Sequence, residues 1–279
     1  MIKIKALDKP KVNEQIIKST IFPDKTSQVW KLNDDILNAK LIEITWNFEE
    51  EREIIDLLSL RKLLVNPLYL KLSIPYLPYA RQDHTISNTT TFNLQVFADL
   101  INSMKFTEVE TVDPHSNKCK DLINNLNTLN VNNILKTIVK DKNIDVLVLP
   151  DLGSSKRGYS IVKDFSDNII IMDKERDPTT GNITGMRIET CFISKDSEGL
   201  LKYLIIDDIC DGGATFINVA NIIKEQHEKA HVTLFVTHGI FSKTKQHLLD
   251  NGIDEILTTN TLLSNKLEDG MIFDIENLR

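Results

Sequence analysis

Cysteine is scarce here, with three in 279 residues, and Cys119, Cys191 and Cys210 are too widely spaced to form close ligand pairs. That excludes a disulfide framework and a zinc ribbon and points to a reducing, cytoplasmic setting. Long apolar runs are missing as well. No stretch is long enough to span a bilayer, and the opening MIKIKALDKPKVNEQ lacks the apolar core of a signal peptide, so no membrane partner is expected. Basic residues are outnumbered, 33 Lys and Arg against 40 Asp and Glu, for a net charge of -7. A general affinity for nucleic acid needs clustered cations, so nucleic acid is not an expected partner and any phosphate should be bound locally. There is no GxxxxGK[ST] phosphate loop, no GxGxxG turn and no kinase-type catalytic motif, which removes the common ATP-binding folds.

What is present is a regular alternation. Apolar runs at Leu41–Trp46, Leu70–Pro75, Val109–Val112, Asp145–Leu149, Asn168–Met172, Tyr203–Ile206 and Val232–Val236 read as strands. Between them, Glu50–Leu64 and Ile217–Glu228 read as helices, and Leu94, Phe97, Ala98, Ile101 and Met104 mark the inward face of another. This is the βαβ signature of an α/β fold with mostly parallel sheets flanked by helices. At 279 residues with 41% hydrophobic content the chain can bury a full core and is long enough for one domain or two. The polar, Asn-rich segment Asp121–Asn143 separates two such blocks, which places a boundary near Thr137 and predicts domains at 1–137 and 138–279. The segment after His84, HTISNTTT, has no apolar rhythm and reads as a surface loop.

The most informative stretch is Tyr203–Phe216, YLIIDDICDGGATF. A buried parallel strand over Tyr203–Ile206 would put Asp207 and Asp208 at its carboxyl end, where open α/β sheets bind ligands. Gly212 and Gly213 allow a tight turn whose backbone N–H groups can approach phosphate oxygens, and a helix starting near Thr215 adds the positive end of its dipole. Carboxylates repel phosphate, so Asp207, Asp208 and Asp211 suit ribose hydroxyls or a divalent cation.

Four other segments could add to this pocket. In Met172–Pro178, Lys174 and Arg176 project to the same side of an extended chain and could neutralise charge on a transferring phosphoryl group; a solvated charged loop is the plain alternative. His115, in TVDPHSN, could ligate a metal or touch a phosphate, although a lone surface histidine is commoner. Asp151 follows the run Val146–Leu149 and is either a second carboxylate of the site or a turn residue. Arg81 can fork two hydrogen bonds to phosphate and Gln82 can read the edge of a base, while Arg81 with Asp83 could equally form an ion-pair network.

Taken in order, these segments resemble ribose-phosphate pyrophosphokinase, the phosphoribosyl pyrophosphate synthetase family. IPYLPYARQDH resembles that family's IPYxxYARQDR, TVDPHSN its DLH segment, VLPDLGSSKRG its PDxGG, MDKERDP its DKRRP and LIIDDICDGGAT its DDxxDTxGT. The resemblance implies two phosphoribosyltransferase-like domains, the first on the ATP side and the second on the ribose 5-phosphate side. It implies Mg2+-dependent transfer of the β,γ-diphosphoryl group of ATP to the 1-hydroxyl of ribose 5-phosphate, leaving AMP. Carried over by motif, Asp211, Gly212, Gly213, Ala214 and Thr215 hold the 5-phosphate and Asp207 faces the ribose hydroxyls. Arg81 and Gln82 bind ATP, His115 and Asp151 are magnesium-site residues, and Lys174 with Arg176 stabilises the transition state. Phe22, Asp24 and Thr26, in FPDKT, align with the FSDGE adenine loop. In the family that loop reaches a neighbouring subunit, which implies a homo-oligomer.

Three departures stand out. Thr26 replaces an acidic residue, the loop after His84 lacks basic residues until past Thr91, and DGGAT lacks a hydroxyl of DTxGT. Two rival readings share part of the pattern. A type I phosphoribosyltransferase would use the Asp207–Thr215 loop but needs neither the YARQD nor the DKERDP segment. A non-catalytic regulatory homologue would not need Lys174, Arg176, His115 and Asp151.

Overall fold

A computed structural model of the chain describes residues 1–9, 13–85, 87–151, 168–176, 183–192, 199–262 and 271–278. Contacts divide it into two compact units, the first built on Met1–Leu129 and the second on Asn130–Asn260. Thr137, where the polar composition suggests a boundary, lies inside a helix of the second unit.

In the first unit a sheet of six strands has the order β2-β1-β5-β6-β7-β8. These are β1 (Ile2–Ala6), β2 (Asn13–Ile17), β5 (Leu41–Trp46), β6 (Tyr69–Ile74), β7 (Glu108–Val112) and β8 (Leu126–Leu129). β5 to β8 run parallel, while β1 is antiparallel to both β2 and β5. Alternation decides which face is buried. Ile4, Ile44, Leu72 and Val109 form one cross-strand row, all buried in the core. Helices α1 (Asp34–Leu37), α2 (Arg52–Leu63), α3 (Asn93–Ser103) and α4 (Lys118–Leu122) contribute Ile36, Leu57, Leu60, Leu94, Phe97, Ala98, Ile101 and Cys119 to that core. The adjoining row on the other face is Lys5, Glu43, Lys71 and Glu108, alternating in charge. There the Lys71 ammonium lies 2.7 Å from Glu110, 3.4 Å from Glu108 and 3.9 Å from Glu43.

A small hairpin, β3 (Ser19–Ile21) with β4 (Ser27–Val29), is tied to α2 through one buried carboxylate. Ser19 and Ser27 each donate a hydroxyl to Asp56, at 2.8 and 2.6 Å. The N-terminal ammonium donates to Glu53, whose other oxygen accepts from the Trp46 indole and the Glu49 amide, each at 2.9 Å.

The second unit is a sheet of seven strands in the order β11-β10-β9-β12-β13-β14-β15. Its members are β9 (Val146–Leu149), β10 (Ile169–Arg176), β11 (Ile183–Phe192), β12 (Lys202–Cys210), β13 (His231–Gly239), β14 (Glu255–Thr259) and β15 (Met271–Phe273). All pairs are parallel except the edge pair β10 with β11. Ile170, Val148, Ile205, Leu234 and Ile256 make a continuous buried row. Against it pack Phe216, Val219, Ala220 and Ile223 of helix α6 (Ala214–Gln226).

The elements expected from the sequence are present at Leu41–Trp46, Leu70–Ile74, Val109–Val112, Val146–Leu149 and Ile169–Met172, and at Arg52–Leu63 and Asn93–Ser103. Two readings change. The segment Asp121–Asn143 is not a plain polar connection. It holds β8 and helix α5 (Asn132–Lys142), whose Ile134, Leu135 and Ile138 are buried on one side while Asn and Lys fill the other. The strand read as Tyr203–Ile206 continues to Cys210, because Asp207 pairs with Val236, Ile209 with His238 and Cys210 with Gly239. Asp207 and Asp208 therefore lie within the strand.

Candidate active site

The order of strands in the second unit places a topological switch point between β9 and β12. β9 has the later strand β10 on one side and β12 on the other, so the connections leave in opposite directions and open a crevice at their carboxyl ends. Asp151 follows β9, and Asp207 and Asp208 occupy the last part of β12. Burial, the adjacent charge of Asp208 and then that of Asp151 push the Asp207 carboxyl well above the usual carboxylate range. Asp208 is 4% exposed, and its backbone N–H donates to Asp207 Oδ1 at 2.9 Å. The sheet thus brings Asp208 and Asp151 within electrostatic reach of Asp207, an acidic cluster at the carboxyl ends of β9 and β12.

The loop that follows is shaped for close backbone approach. Gly213 has φ of 80° and caps α6, and its carbonyl accepts the N–H groups of Phe216 and Ile217 at 3.0 and 3.1 Å. A Cβ on Gly213 would stand 2.2 Å from Leu248 Cδ2, on helix α7 (Lys245–Leu249). Glycine is needed there both for its φ and for lack of room. Gly212, Ala214 and Thr215 remain at least partly open to solvent at the positive end of α6.

A segment that sequence reasoning passed over braces this loop. After β13, the N–H groups of Ile240 and Phe241 both donate to the Cys210 carbonyl, at 2.8 and 3.1 Å. Ser242 Oγ donates to Asp211 Oδ1 at 2.6 Å. Gly239 has no space for a side chain, since a Cβ would meet the Phe241 ring at 2.1 Å. The signal was available in the sequence: Gly239–Ser242 leaves the carboxyl end of the strand next to β12, where ligand-binding loops gather.

In the first unit the sequence-predicted residues fall on three loops. The YARQD turn holds Tyr79 at φ of 61°, an uncommon conformation for a bulky residue that costs roughly 1–3 kcal/mol. The Tyr79 carbonyl accepts the Gln82 N–H at 2.8 Å, and its hydroxyl donates to Glu51 at 2.7 Å. Arg81 is exposed. Gln82 Oε1 accepts from Asn93 at 2.5 Å. His115 is exposed on the loop after β7, where Asp113 also has positive φ, of 38°. Beside it Lys118 donates to the Asp83 carbonyl at 2.8 Å. Burial pushes the Asp83 carboxyl up, but hydrogen bonds from His84 and Ser116 and the charge of Lys118 outweigh it, and the net shift is downward. Phe22, Asp24 and Thr26 form the β3–β4 turn. Phe22 is exposed, and Asp24 Oδ1 accepts from the Thr26 amide at 3.1 Å and hydroxyl at 2.7 Å. Asp24 and Thr26 thus shape the turn that presents Phe22.

The backbone of β10 is extended through Lys174 and Arg176, but their side chains lie outside the described residues. Among the described residues no three Asp, Glu, His or Cys side chains form a ready metal cage, and no helix is long and apolar enough to cross a membrane.

Comparison with known proteins agrees with this architecture. Residues 192–270 match the family model of the phosphoribosyl synthetase-associated domain. A ribose-phosphate pyrophosphokinase from Hyphomonas neptunium is 32% identical over 197 residues, covering 68% of this chain and 60% of that protein. One from Vibrio cholerae is 30% identical over 203 residues, covering 69% and 61%. Over that stretch the chain is similar to the ribose-phosphate pyrophosphokinase family. It spans about 60% of the length of the curated relatives it matches. The crystal structure of phosphoribosylpyrophosphate synthetase from Mycobacterium smegmatis superposes with a TM-score of 0.75 at 19% identity, covering 94% of this chain and 87% of that one. That likeness establishes the fold, two phosphoribosyltransferase-like α/β units, the first of which begins with an antiparallel strand pair.

Proposed function

We propose that this protein is a ribose-phosphate diphosphokinase, transferring the β,γ-diphosphoryl group of ATP to the 1-hydroxyl of ribose 5-phosphate. The observation that supports it most is the acidic cluster of Asp151, Asp207 and Asp208 at the switch point, followed at once by the Gly212–Gly213 turn and the start of α6. A sugar phosphate matches both halves. Its hydroxyls suit Asp207 and Asp208, and its phosphate suits the amides of Asp211–Thr215 and the helix dipole.

The crowded carboxylates also suit Mg2+. This ion keeps several waters and takes only one or two protein carboxylates, completing its shell with substrate phosphates, so a preformed cage is not required. Asp151 is the proposed ligand in the second unit and His115 the proposed ligand in the first, and a bound ion would draw charge from the polyphosphate of ATP. The chain's own part is to bind and orient. Arg81, Gln82 and His115 hold ATP, Phe22 in its hairpin meets the base, and Lys174 and Arg176 stabilise charge as the diphosphoryl group moves. We also propose that the protein is cytoplasmic and works as a homo-oligomer, with the first unit serving ATP and the second ribose 5-phosphate.

The deciding experiment incubates the purified protein with ATP, Mg2+ and ribose 5-phosphate and measures AMP together with phosphoribosyl pyrophosphate. Equal formation of both is expected. ADP in place of AMP, or no turnover, would refute the proposal.

A further inference from the structure

Lys243 lies in the brace beside the phosphate loop, and none of the roles above includes it. Its aliphatic stem runs across Gly212: Cγ, Cδ and Cε lie 3.8, 3.7 and 3.8 Å from the point a Cβ on that glycine would occupy. The missing side chain at position 212 leaves the surface over which the stem lies. Gly212 and Gly213 form the turn, so the lysine crosses the segment whose amides are open at the helix start.

Two features make this placement more than a surface lysine folded onto its neighbour. The first is that the ammonium has no hydrogen bond or ion pair among the described residues, although the exposed carboxylate of Asp211 is within reach of the adjacent Ser242. Asp211 is instead engaged by Ser242 at 2.6 Å. The cation is held by its stem alone. The second is the rigidity of what carries it. The Ile240 and Phe241 amides are fastened to the Cys210 carbonyl at 2.8 and 3.1 Å, and Phe241 and Thr244 flank the Ser242–Lys243 pair with φ of 49° and 72°. A phenylalanine in the left-handed region is costly, and the surrounding contacts fix it there. The loop 240–244 is therefore tied to the strand end at Cys210 and to Asp211, with the Lys243 stem lying over the turn.

We propose that Lys243 is a substrate-binding residue of the phosphate subsite, its ammonium pairing with the phosphate monoester of the sugar substrate bound at Asp211–Thr215. This rests on the reading of that loop as the ribose 5-phosphate site. A turn built from glycines and Ala214 offers backbone N–H groups and the Thr215 hydroxyl but no charge, while Asp211 adds a negative one. A dianionic phosphate would gain most from a cation on the open side, and Lys243 is a cation whose stem lies across Gly212.

The test is direct calorimetric binding of ribose 5-phosphate, and separately of unphosphorylated ribose, to the full chain and to its Lys243→Met and Lys243→Arg variants, alongside steady-state kinetics. The expected result is a ten-fold or greater loss of ribose 5-phosphate affinity in K243M, with ribose binding unchanged and affinity largely recovered in K243R. The KM for ribose 5-phosphate should rise in parallel, with kcat and the KM for ATP little altered. Unchanged ribose 5-phosphate affinity in K243M would overturn the role of Lys243 and leave the site intact. An equal loss in K243M and K243R, or an equal loss for ribose, would show a structural role and also overturn it. Failure of the unaltered protein to bind ribose 5-phosphate would instead remove the reading of the loop itself.

Discussion

The backbone N–H of Asp208 donates to the carboxylate of Asp207 at 2.9 Å, so two adjacent acids on one strand are joined by a hydrogen bond while their charges oppose each other. The single amide does not offset burial and the repulsion from Asp208 and Asp151. Folding this strand without a ligand therefore works against an ionised Asp207.

Asp207→Asn should raise the melting temperature of the ligand-free protein at neutral pH. The carboxyl has its folded pKa above its ordinary 3.8, so the cost of ionising it is full above the folded value, shrinks as pH falls through it, and is gone below the unfolded value. The gain in D207N should disappear along the same course in a series of melts with chelator present. Because a hydrogen bond to a charged group contributes about 1.5–3 kcal/mol, the same variant should lose roughly ten- to a hundred-fold in kcat/KM for ribose 5-phosphate. A variant less stable than the parent at pH 7 would contradict this picture of the pocket.

Gly213→Ala should destabilise the second unit by about 2–4 kcal/mol, combining the strain of a positive φ with the overlap against Leu248. Chemical denaturation followed by circular dichroism would measure it. In a Leu248→Ala background, which removes the overlap, adding Gly213→Ala should cost only the part due to φ. Gly212→Ala, with ordinary contacts only, should be mild in comparison.

Asp56→Ala should free the β3–β4 hairpin by removing the acceptor of both Ser19 and Ser27. The loss is expected at about 2–3 kcal/mol, as for a buried carboxylate holding two hydroxyls. Faster amide hydrogen exchange across Ser19–Val29, with the core strands Ile42–Trp46 unchanged, would identify the release as local. If Phe22 meets the base, the KM for ATP rises while that for ribose 5-phosphate stays put.

Cys119 and Cys210 should resist thiol reagents in the native state. Burial pushes the first up to about 11 and the second to about 12, so at pH 8 only about a thousandth or less of either is thiolate. In a Cys191→Ser background, reaction with a chromogenic disulfide should be slow until denaturant is added, after which two equivalents appear. Rapid reaction of the folded protein would mean that the loop at Cys210 opens readily.

Much of this was legible in the residues. Strand β9 and Tyr203–Ile206 of β12 announce themselves as uninterrupted apolar runs because every residue in them is buried, and α3 shows its inward stripe because Leu94, Phe97, Ala98 and Ile101 keep helical spacing. Strands that are half polar gave weaker signals. β1 reads Ile-Lys-Ile-Lys-Ala, a short alternation at the chain's start, and its membership in the sheet depends on pairing with Thr45 and its neighbours far along the chain. β12 seemed to stop at Ile206 because two acids follow, and only the tertiary pairing with β13 carries the strand through them. The site was legible where it depends on local chemistry, as in DGGAT. The approach of Asp151 to Asp207 and the support from Ser242 depend on which strands are neighbours, and no local pattern contains that.

The position of β12 between β9 and β13 also governs when the pocket can exist. Its partners Val146 and Val232 are far apart in the sequence, on either side of Tyr203, so closing the sheet requires long chain loops to be drawn in before any contact compensates for them. The acids of β12 therefore gain their neighbours late. During synthesis the pocket cannot be completed until Gly239 and the brace after it have emerged, so a chain truncated before that point would keep the DGGAT motif but lack the brace that supports its loop.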